Sequence, residues 1–325
     1  MRDRYGRDIC YLRISVTDRC NLRCVYCMPE EGVEWMPHSQ ILTYEQITQV
    51  VEAASRLGVR HIRLTGGEPL VRPQLYRLVE MVKGVAGIES VALTTNGVLL
   101  AQQLPQLLQA GLDGVNLSLD TLDPQQFAAI TRREGLLPQV LEGLEAAAGT
   151  PGLTVKVNCV PTQFNEDQVV PLARLAQERE ISVRFIELMP IGLGRDRHGL
   201  SQEQVMERLT DAFGTPVPCA NPKGAGPGTY VTFSGFAGQV GFISALSHQF
   251  CHQCNRVRLT ADGHLKTCLQ YQDGVDVKPY LGEGVSLSAL EGALEQAMYH
   301  KPVGHHFSTQ TQAGDERHNM NQIGG

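Results

Sequence analysis

Six short stretches of alternating apolar and polar residues recur between residues 10 and 188, and a helical pattern separates each one from the next. They are 10–16, 61–65, 91–95, 115–119, 154–160 and 182–188. Alternation predicts strands with one apolar face, and apolar residues three and four positions apart predict amphipathic helices. Regular β–α alternation with short connections favours a parallel sheet with right-handed crossovers. We therefore predict an α/β fold, a partial, open (β/α)6 TIM-like barrel, with a doubly wound sheet as the alternative.

The second face of these predicted strands carries polar and cationic side chains. The helices must cover the apolar face, so the polar face should point into the barrel. A lumen of this composition cannot be a dry core, because buried charges need partners. The pattern predicts a cavity for a polar, anionic ligand, and the alternative is a sheet with one solvated face. The residues concerned are Arg13, Arg63, Thr94, Asn116, Ser118, Lys156 and, on a less regular strand, Arg184.

The character of the chain changes after Met189. Residues 216–228 are rich in proline and glycine, which indicates a boundary. Short strand-like stretches follow, and the turn at 261–263 is typical of a hairpin. We predict a barrel over residues 1–215 and, over residues 216–325, a small antiparallel cap, a helix at 287–298 and a polar tail ending in two glycines.

Three cysteines, Cys20, Cys24 and Cys27, lie within eight residues of one another. No regular helix or strand can present all three to one point, so a loop must wrap them around a common centre. Three soft ligands suit zinc or an iron–sulfur cluster. Structural zinc needs a fourth ligand, and none lies beside them. A cubane cluster with three cysteine ligands would leave one iron open to bind another molecule.

A second group of cysteines, Cys251, Cys254 and Cys268, lies in the predicted cap. It could bind zinc with His252 or His264 as the fourth ligand, or a second cluster with an open iron. Arg256 and Arg258 lie between these cysteines on one face of a predicted strand. Two guanidinium groups beside a metal centre suggest an anionic substrate. Of the other cysteines, Cys10 and Cys159 are predicted to lie in the core.

Net charge, apolar runs and cysteine content indicate the cellular compartment and the way an anionic ligand must be bound. The net charge of −6 gives no general attraction to nucleic acid or anionic membranes, so any anion must be bound by local cations. No apolar run is long enough for a membrane span, and the first residues show no signal-peptide pattern. Nine cysteines in such a chain indicate a reducing cytoplasm and metal ligation rather than disulfides.

Several motifs together resemble one family. They are the first cysteine group within residues 18–29, the turn at 65–69, the segment 94–97, the second cysteine group with its two arginines, and the final Gly-Gly pair. The first spacing is similar to that of the radical S-adenosylmethionine superfamily, and the combination resembles the GTP 3′,8-cyclases of molybdenum cofactor biosynthesis. The resemblance implies two [4Fe–4S] clusters, one on each cysteine group, with S-adenosylmethionine bound at the first.

The resemblance also implies roles for individual residues. Cofactor contacts fall on Tyr26, Gly67, Ser118 and Met189; GTP contacts fall on Arg13, Arg63, Thr94, Lys156, Arg256 and Arg258; Arg184, Arg256 and Arg258 are the catalytic candidates. The tail is expected to thread into the cavity rather than fray.

The implied reaction is that of a lyase. GTP is converted to (8S)-3′,8-cyclo-7,8-dihydroguanosine 5′-triphosphate, the first step of the pathway. Expected partners are GTP, an external one-electron reductant of the flavodoxin or ferredoxin type, the downstream cyclic pyranopterin monophosphate synthase and a second copy in a homodimer. Two alternatives remain: a radical S-adenosylmethionine enzyme that modifies a peptide, and a non-catalytic zinc or iron–sulfur protein.

Overall fold

A single sheet organises the chain. The computed structural model describes residues 1–220, 226–282, 284–308, 310 and 312–324. Twelve strands within these residues join in the order β12-β11-β10-β1-β2-β3-β4-β5-β6-β9-β8-β7. The strands are Tyr11–Ser15 (β1), His61–Thr65 (β2), Ser90–Thr95 (β3), Gly114–Ser118 (β4), Thr154–Cys159 (β5), Ser182–Ile186 (β6), Val217–Cys219 (β7), Thr229–Thr232 (β8), Gln239–Ile243 (β9), Arg256–Leu259 (β10), His264–Lys266 (β11) and Gly274–Asp276 (β12).

Eight α-helices are found in the described residues. Two of them begin where the sequence places a capping box, with the side chains of Thr43 and Ser201 accepting from the third helical residue. The helix Pro124–Thr131 has no clear counterpart in the apolar pattern. The helices are Tyr44–Arg56 (α1), Leu75–Lys83 (α2), Leu100–Gln109 (α3), Pro124–Thr131 (α4), Leu137–Ala148 (α5), Val169–Glu178 (α6), Gln202–Phe213 (α7) and Leu287–Tyr299 (α8).

The α/β prediction is confirmed, but the parallel part of the sheet is wider than predicted. All six predicted barrel strands pair in parallel and in chain order. Strand β10 also pairs in parallel with β1, and β9 with β6, so eight strands run in parallel. Within the described residues the outermost strands, β12 and β7, have one partner each, and the sheet is not closed.

The strands predicted as a separate antiparallel cap are part of this same sheet. The predicted hairpin between β10 and β11 is present, with Gly263 at φ 91° in the turn, and β8 pairs antiparallel with β9. Both hairpins, however, continue the main sheet rather than pairing only among themselves. A short strand at 217–219 lies in the proline- and glycine-rich stretch, and residues 221–225 of that stretch lie outside the described part.

The apolar face of the parallel strands packs on the helices. Leu12, Ile14, Ile62 and Leu64 are fully buried in one core cluster with the inner faces of the helices. Burying such a side chain is worth about 1.5–3 kcal/mol, so the orientation of the strands is strongly fixed. The polar residues of β1 to β6 therefore point to the opposite face, as the alternation predicts.

No helix of the described residues combines the length and the apolar character that crossing a membrane requires.

Candidate functional site

The first cysteine group lies in the loop that follows β1. Two backbone amides of this loop, those of Arg23 and Val25, donate to carbonyls at the end of α4. Within the loop, the amides of Cys27 and Met28 both donate to the carbonyl of Cys24, which closes a tight turn. The cysteine loop is thus folded against α4 and on itself, and it places three thiols on one side.

The turn after β2 supports the cysteine loop from the other side. The amides of Gly67 and Glu68 donate to the carbonyls of Thr17 and Arg19. A Cβ atom on Gly67 would lie 2.4 Å from the carbonyl oxygen of Arg19, so only glycine permits this approach. The predicted cofactor contact at Gly67 therefore also has a purely structural reason to be glycine.

Two carboxyl groups beside the first cysteine group, buried Glu68 and half-buried Asp120, were not predicted as site residues from the sequence. Glu68 accepts from the hydroxyl of Thr95 and the amide of Asn96, and its burial raises its pKa to about 7. Asp120 accepts from the hydroxyl of Tyr26 and the amide of Val160, and burial raises its pKa to about 6. Glu68 lies in a motif that the sequence marks, whereas Asp120 is a single acidic residue after β4.

The second cysteine group comes from the short helical turn before β10 and from the segment after β11. Lys301, which is buried, donates to the carbonyls of Arg256 and Thr267, the two segments that flank Cys254 and Cys268. Burial raises the pKa of the Cys254 thiol, but the Lys301 ammonium and the Arg256 guanidinium lower it below its usual value. This environment favours a thiolate. No sequence pattern points to a single lysine in this role.

One cavity of about 320 Å³ joins the two cysteine groups, which are 224 residues apart at their nearest members, Cys27 and Cys251. All six cysteines line it, and so do eight of the other predicted site residues. These eight are Arg13, Tyr26, Gly67, Thr94, Ser118, Met189, Arg256 and Arg258. The cavity lies where the carboxyl ends of the parallel strands meet, the usual ligand position in α/β sheets.

The remaining predicted residues, Arg63, Lys156 and Arg184, do not line that cavity but lie on the same face of the sheet. Asn158 on β5 pairs with Arg184 on β6. Asn158 connects the cavity with these cations, because it lines the cavity and accepts two hydrogen bonds from the Arg184 guanidinium. Lys156 lies over the ring of Tyr230 at 5.8 Å. These three cations form a second cationic group beside the cavity.

Cations are crowded on adjacent strands. Arg258, Arg13 and Arg63 occupy matching positions on β10, β1 and β2, so three like charges lie side by side. Burial and the neighbouring Arg256 lower the pKa of Arg258 to about 10, and burial and Arg258 lower that of Arg13. Like charges at such positions destabilise a sheet. An anion bound among them would relieve this repulsion.

Tyr11 lies inside this row of arginines. Its hydroxyl accepts from Nε of Arg63, and the guanidinium of Arg256 lies 5.2 Å from the centre of its ring. Burial raises the pKa of Tyr11, but Arg63, Arg13 and Arg256 together lower it more. The phenol therefore offers the cations partial compensation through its ring and its oxygen.

Two buried polar atoms on this face lack a hydrogen-bond partner in the described part of the chain. Nη1 of Arg63 and Oγ1 of Thr94 are buried and have no hydrogen-bond partner within the described residues. Leaving such groups without a partner costs about 1–3 kcal/mol each. Both atoms can donate to an acceptor oxygen, so this observation supports a polar ligand that carries such oxygens.

The donor set of each cysteine group, three thiols that line one cavity, fits an iron–sulfur cluster. No three His, Cys, Asp or Glu side chains in the described part of the chain are grouped closely enough to bind one ion. Zinc with Zn–S bonds of about 2.3 Å would need sulfurs about 4 Å apart, whereas a cubane separates its cysteine ligands more widely. Of the proposed fourth zinc ligands, His264 instead shares a hydrogen bond with the carbonyl of Gln272.

The C-terminal tail reaches the arginines. The carbonyl of Gly324 accepts from Arg13 and from Arg258 at 3.2 Å each. Gly324 has φ 74°, and a Cβ there would lie 3.1 Å from Ser15 and Thr65. The expectation of a threaded tail is therefore met as far as residue 324, while Gly325 lies outside the described residues.

Two family models match the chain in tandem. The Radical SAM superfamily model covers residues 14–176, and the Molybdenum Cofactor Synthesis C model covers residues 181–307. The GTP 3′,8-cyclase of Pelotomaculum thermopropionicum is 47% identical to this chain over the whole length of both, and that of Heliobacterium modesticaldum is 44% identical over the same extent. The chain belongs to the GTP 3′,8-cyclase family. The cyclase of Clostridium perfringens strain 13 is 39% identical, again over both full lengths.

Solved structures support the fold of this family member. The peptide-bound structure of Streptococcus suis SuiB superimposes with a TM-score of 0.60 over 90% of this chain and 66% of SuiB, at 14% identity. The S-adenosylmethionine complex of SuiB gives a TM-score of 0.59. At this identity the likeness concerns the fold alone.

Proposed function

We propose that this chain is a GTP 3′,8-cyclase, a radical S-adenosylmethionine lyase that converts GTP to (8S)-3′,8-cyclo-7,8-dihydroguanosine 5′-triphosphate in the first step of molybdenum cofactor biosynthesis. One observation carries the proposal: two cysteine groups and three arginines, Arg13, Arg256 and Arg258, line one cavity in a chain whose full-length relatives are GTP 3′,8-cyclases. The residues fit two [4Fe–4S] clusters, with Cys20, Cys24 and Cys27 as ligands of one and Cys251, Cys254 and Cys268 as ligands of the other.

The first cluster and S-adenosylmethionine, when bound, supply a radical that can take hydrogen from an unactivated carbon. The chain must orient the cofactor and the substrate against each other. We assign the cofactor to the end of the cavity beside Tyr26, Gly67, Ser118 and Met189. Asp120 holds the Tyr26 hydroxyl, which fixes the aromatic ring next to the third cysteine.

We assign GTP to the opposite end of the cavity and to the cationic group that lies beside it. Its triphosphate is proposed to lie among Arg13, Arg63, Lys156 and Arg184, where cations are crowded and Arg63 retains a buried donor. Arg256 and Arg258 belong to β10 and line the cavity together with the second cysteine group, so we assign them to orient the guanine toward that group. Thr94 offers a hydroxyl on the wall between the two ends. Fixing both reactants in this way replaces a bimolecular encounter by an oriented one.

Exclusion of water is a further task for the chain. Leu269, Ile323 and Ile191 form a small buried apolar cluster, with Met189 and Phe307 packed against it. Leu269, Met189 and Phe307 also line the cavity, so we propose that this cluster keeps water from one side of the site. A water-poor site protects a reactive carbon radical from side reactions.

The finer architecture and the partners belong to the same proposal. We propose that the open sheet curves as a partial barrel over residues 1–215, with residues 216–325 contributing the second cluster and the tail. We further propose a flavodoxin or ferredoxin as one-electron donor, a cyclic pyranopterin monophosphate synthase as consumer of the product, a homodimer and a cytoplasmic location.

The direct experiment is anaerobic incubation of the reconstituted protein with GTP, S-adenosylmethionine and a chemical reductant. The expected product is a nucleotide with the mass of GTP but a different retention time. The matched control is the Cys24→Ala variant, which should give no product. Cleavage of S-adenosylmethionine with unchanged GTP, but with modification of an added peptide, would favour the peptide-modifying alternative. A protein that binds stoichiometric zinc and no iron would contradict both.

A further inference from the structure

The N-terminal segment before β1 contacts the second cysteine group. The amide of Cys10 donates to the carbonyl of Asn255, the residue after Cys254, at 3.1 Å. Earlier in the segment, the amide of Arg4 donates to the carbonyl of Tyr299 at the end of α8, at 3.2 Å. The segment is therefore bound both to the chain around the second cysteine group and to the end of α8.

One side chain of this segment, that of Arg7, reaches four backbone carbonyls at once. Its Nη1 donates to the carbonyls of Cys251 and Val303, at 3.0 and 3.1 Å. Its Nη2 donates to the carbonyls of Pro302 and Lys301, at 2.7 and 3.3 Å. An ammonium has only three donors and could not serve four acceptors, whereas a guanidinium has five donors in one plane. The Arg7 guanidinium thus ties the backbone of the first cysteine of the group to the segment after α8.

The charge of Arg7 is compensated within the same N-terminal segment. Oδ2 of Asp3 accepts from Nε and Nη2 of Arg7, at 2.6 and 2.5 Å, and the Asp3 side chain is fully buried. Oδ1 of Asp3 accepts from the backbone amides of Tyr5 and Arg7. The guanidinium of Arg7 is only 4% exposed, so this ion pair is shielded from water. Asp3 therefore fixes the orientation in which the guanidinium faces the carbonyls.

The segment after α8 carries the constraint to the other two cysteines. The ammonium of Lys301 donates to the carbonyls of Arg256 and Thr267. Arg256 follows Cys254 by two positions, and Thr267 directly precedes Cys268. Arg7 holds the backbone carbonyl of this same lysine. Together the two cations therefore bind the backbone at or beside every cysteine of the second group.

We propose that Arg7, oriented by Asp3, is a positioning residue for the second cluster, because it fixes the backbone of Cys251 against residues 301–303. Contacts around metal ligands orient those ligands and influence what they bind. The inference rests on the proposed function, since it requires a cluster on the second cysteine group. It gives a role in that site to residues 1–9, all of which the structure describes and none of which lines the cavity.

The test compares the iron content and the electron paramagnetic resonance spectra of the reconstituted, reduced full chain and four variants. Arg7→Met removes all donors of the side chain. Arg7→Lys keeps a cation opposite Asp3 but cannot serve four carbonyls. Arg4→Met is the matched control, because it removes an exposed arginine of the same segment. In the fourth variant all three cysteines of the second group are alanine, so the signal missing from its spectrum identifies the second cluster.

We expect Arg7→Met to lose the second-cluster signal and about half of the iron, as one of two clusters is lost. Arg7→Lys should show a second-cluster signal with changed g values, and Arg4→Met should match the wild type. In both Arg7 variants the first-cluster signal should still respond to S-adenosylmethionine. If Arg7→Met does not fold, the spectrum of Arg7→Lys decides.

A wild-type second-cluster signal in Arg7→Lys overturns the inference. Equal loss of both clusters in an Arg7 variant also overturns it, because Arg7 would then support the fold as a whole rather than one site. A wild-type protein that binds no iron overturns the proposed function first.

Discussion

Lys156 is expected to lower the stability of the ligand-free protein and to be necessary for binding an anionic ligand. It is buried at 4% exposure. Burial, Arg184 and Arg63 lower its pKa from 10.5 to about 7. At about 1.36 kcal/mol per pKa unit, keeping its charge in the folded protein costs about 5 kcal/mol. Between pH 7 and pH 10.5 the unfolded chain binds more protons than the folded one, so this cost falls as pH rises, by about 2 kcal/mol from pH 7 to pH 9.

Replacing Lys156 by Met removes the buried charge and should therefore raise the melting temperature of the ligand-free protein. The gain should be larger at pH 7 than at pH 9, by about 4 °C if 1 kcal/mol shifts the midpoint by about 2 °C in a chain of this size. Scanning calorimetry of the cluster-loaded wild type and variant at both pH values measures the difference. An equal gain at the two pH values would refute the assignment of the shifted pKa to Lys156.

The affinity for an anion should fall as pH rises, whereas the stability of the ligand-free protein should rise with pH. A triphosphate beside Lys156 favours the ammonium, so affinity is full below pH 7 and weakens as pH rises through that value. From pH 7 to pH 9 the protonated fraction of the free site falls about fifty-fold, and the GTP dissociation constant should rise by about that factor. Lys156→Arg, which stays charged, is the matched control and should flatten the profile. A wild-type profile that is already flat would place the triphosphate elsewhere.

Further predictions concern the two ends of the cavity and the tail. Cys24→Ala should remove about half of the iron, as one of two clusters is lost, and should abolish cleavage of S-adenosylmethionine in chromatographic assays. Arg258→Ala should keep some uncoupled cleavage while losing cyclised product; loss of cleavage with intact GTP binding would show that the cavity is divided incorrectly. Deleting residues 324–325 should leave the iron content unchanged while product formation falls steeply, and wild-type turnover would contradict the role of the tail. Lys266→Met leaves Glu316 buried without its ammonium and should lower the free energy of unfolding by about 3–5 kcal/mol in denaturant titrations; a value near zero would mean that His318 alone compensates the carboxylate.

Local pattern was sufficient for the main sheet and for the cysteine groups. Strand alternation assigned Leu12 to the core and Arg13 to the cavity because the helices can cover only one face. The spacing of Cys20, Cys24 and Cys27 required a single loop, because no regular helix or strand can present all three side chains to one point. These predictions depend on residues close together in sequence, whose relative geometry the backbone largely determines.

Long-range pairing was beyond the sequence pattern. The alternation of a strand does not identify the strand beside it. The turn at 261–263 predicted that β10 pairs with β11, but nothing in the sequence predicted its parallel partner β1, which is about 240 residues away. Lys301 and Asp120 are single residues whose importance comes from the segments that surround them. The hydrogen bond from Asn321 to the carbonyl of Asp18 joins residues 303 positions apart, and no periodicity marks it.

The fate of the hydrogen on the 3′ carbon of GTP tests the central claim most directly. The measurement is mass spectrometry of both products after anaerobic turnover with 3′-deuterated GTP, S-adenosylmethionine and reductant. The proposal predicts deuterium in 5′-deoxyadenosine and a cyclised nucleotide that has lost it. Unlabelled 5′-deoxyadenosine beside fully deuterated GTP would contradict hydrogen abstraction from the 3′ carbon of GTP.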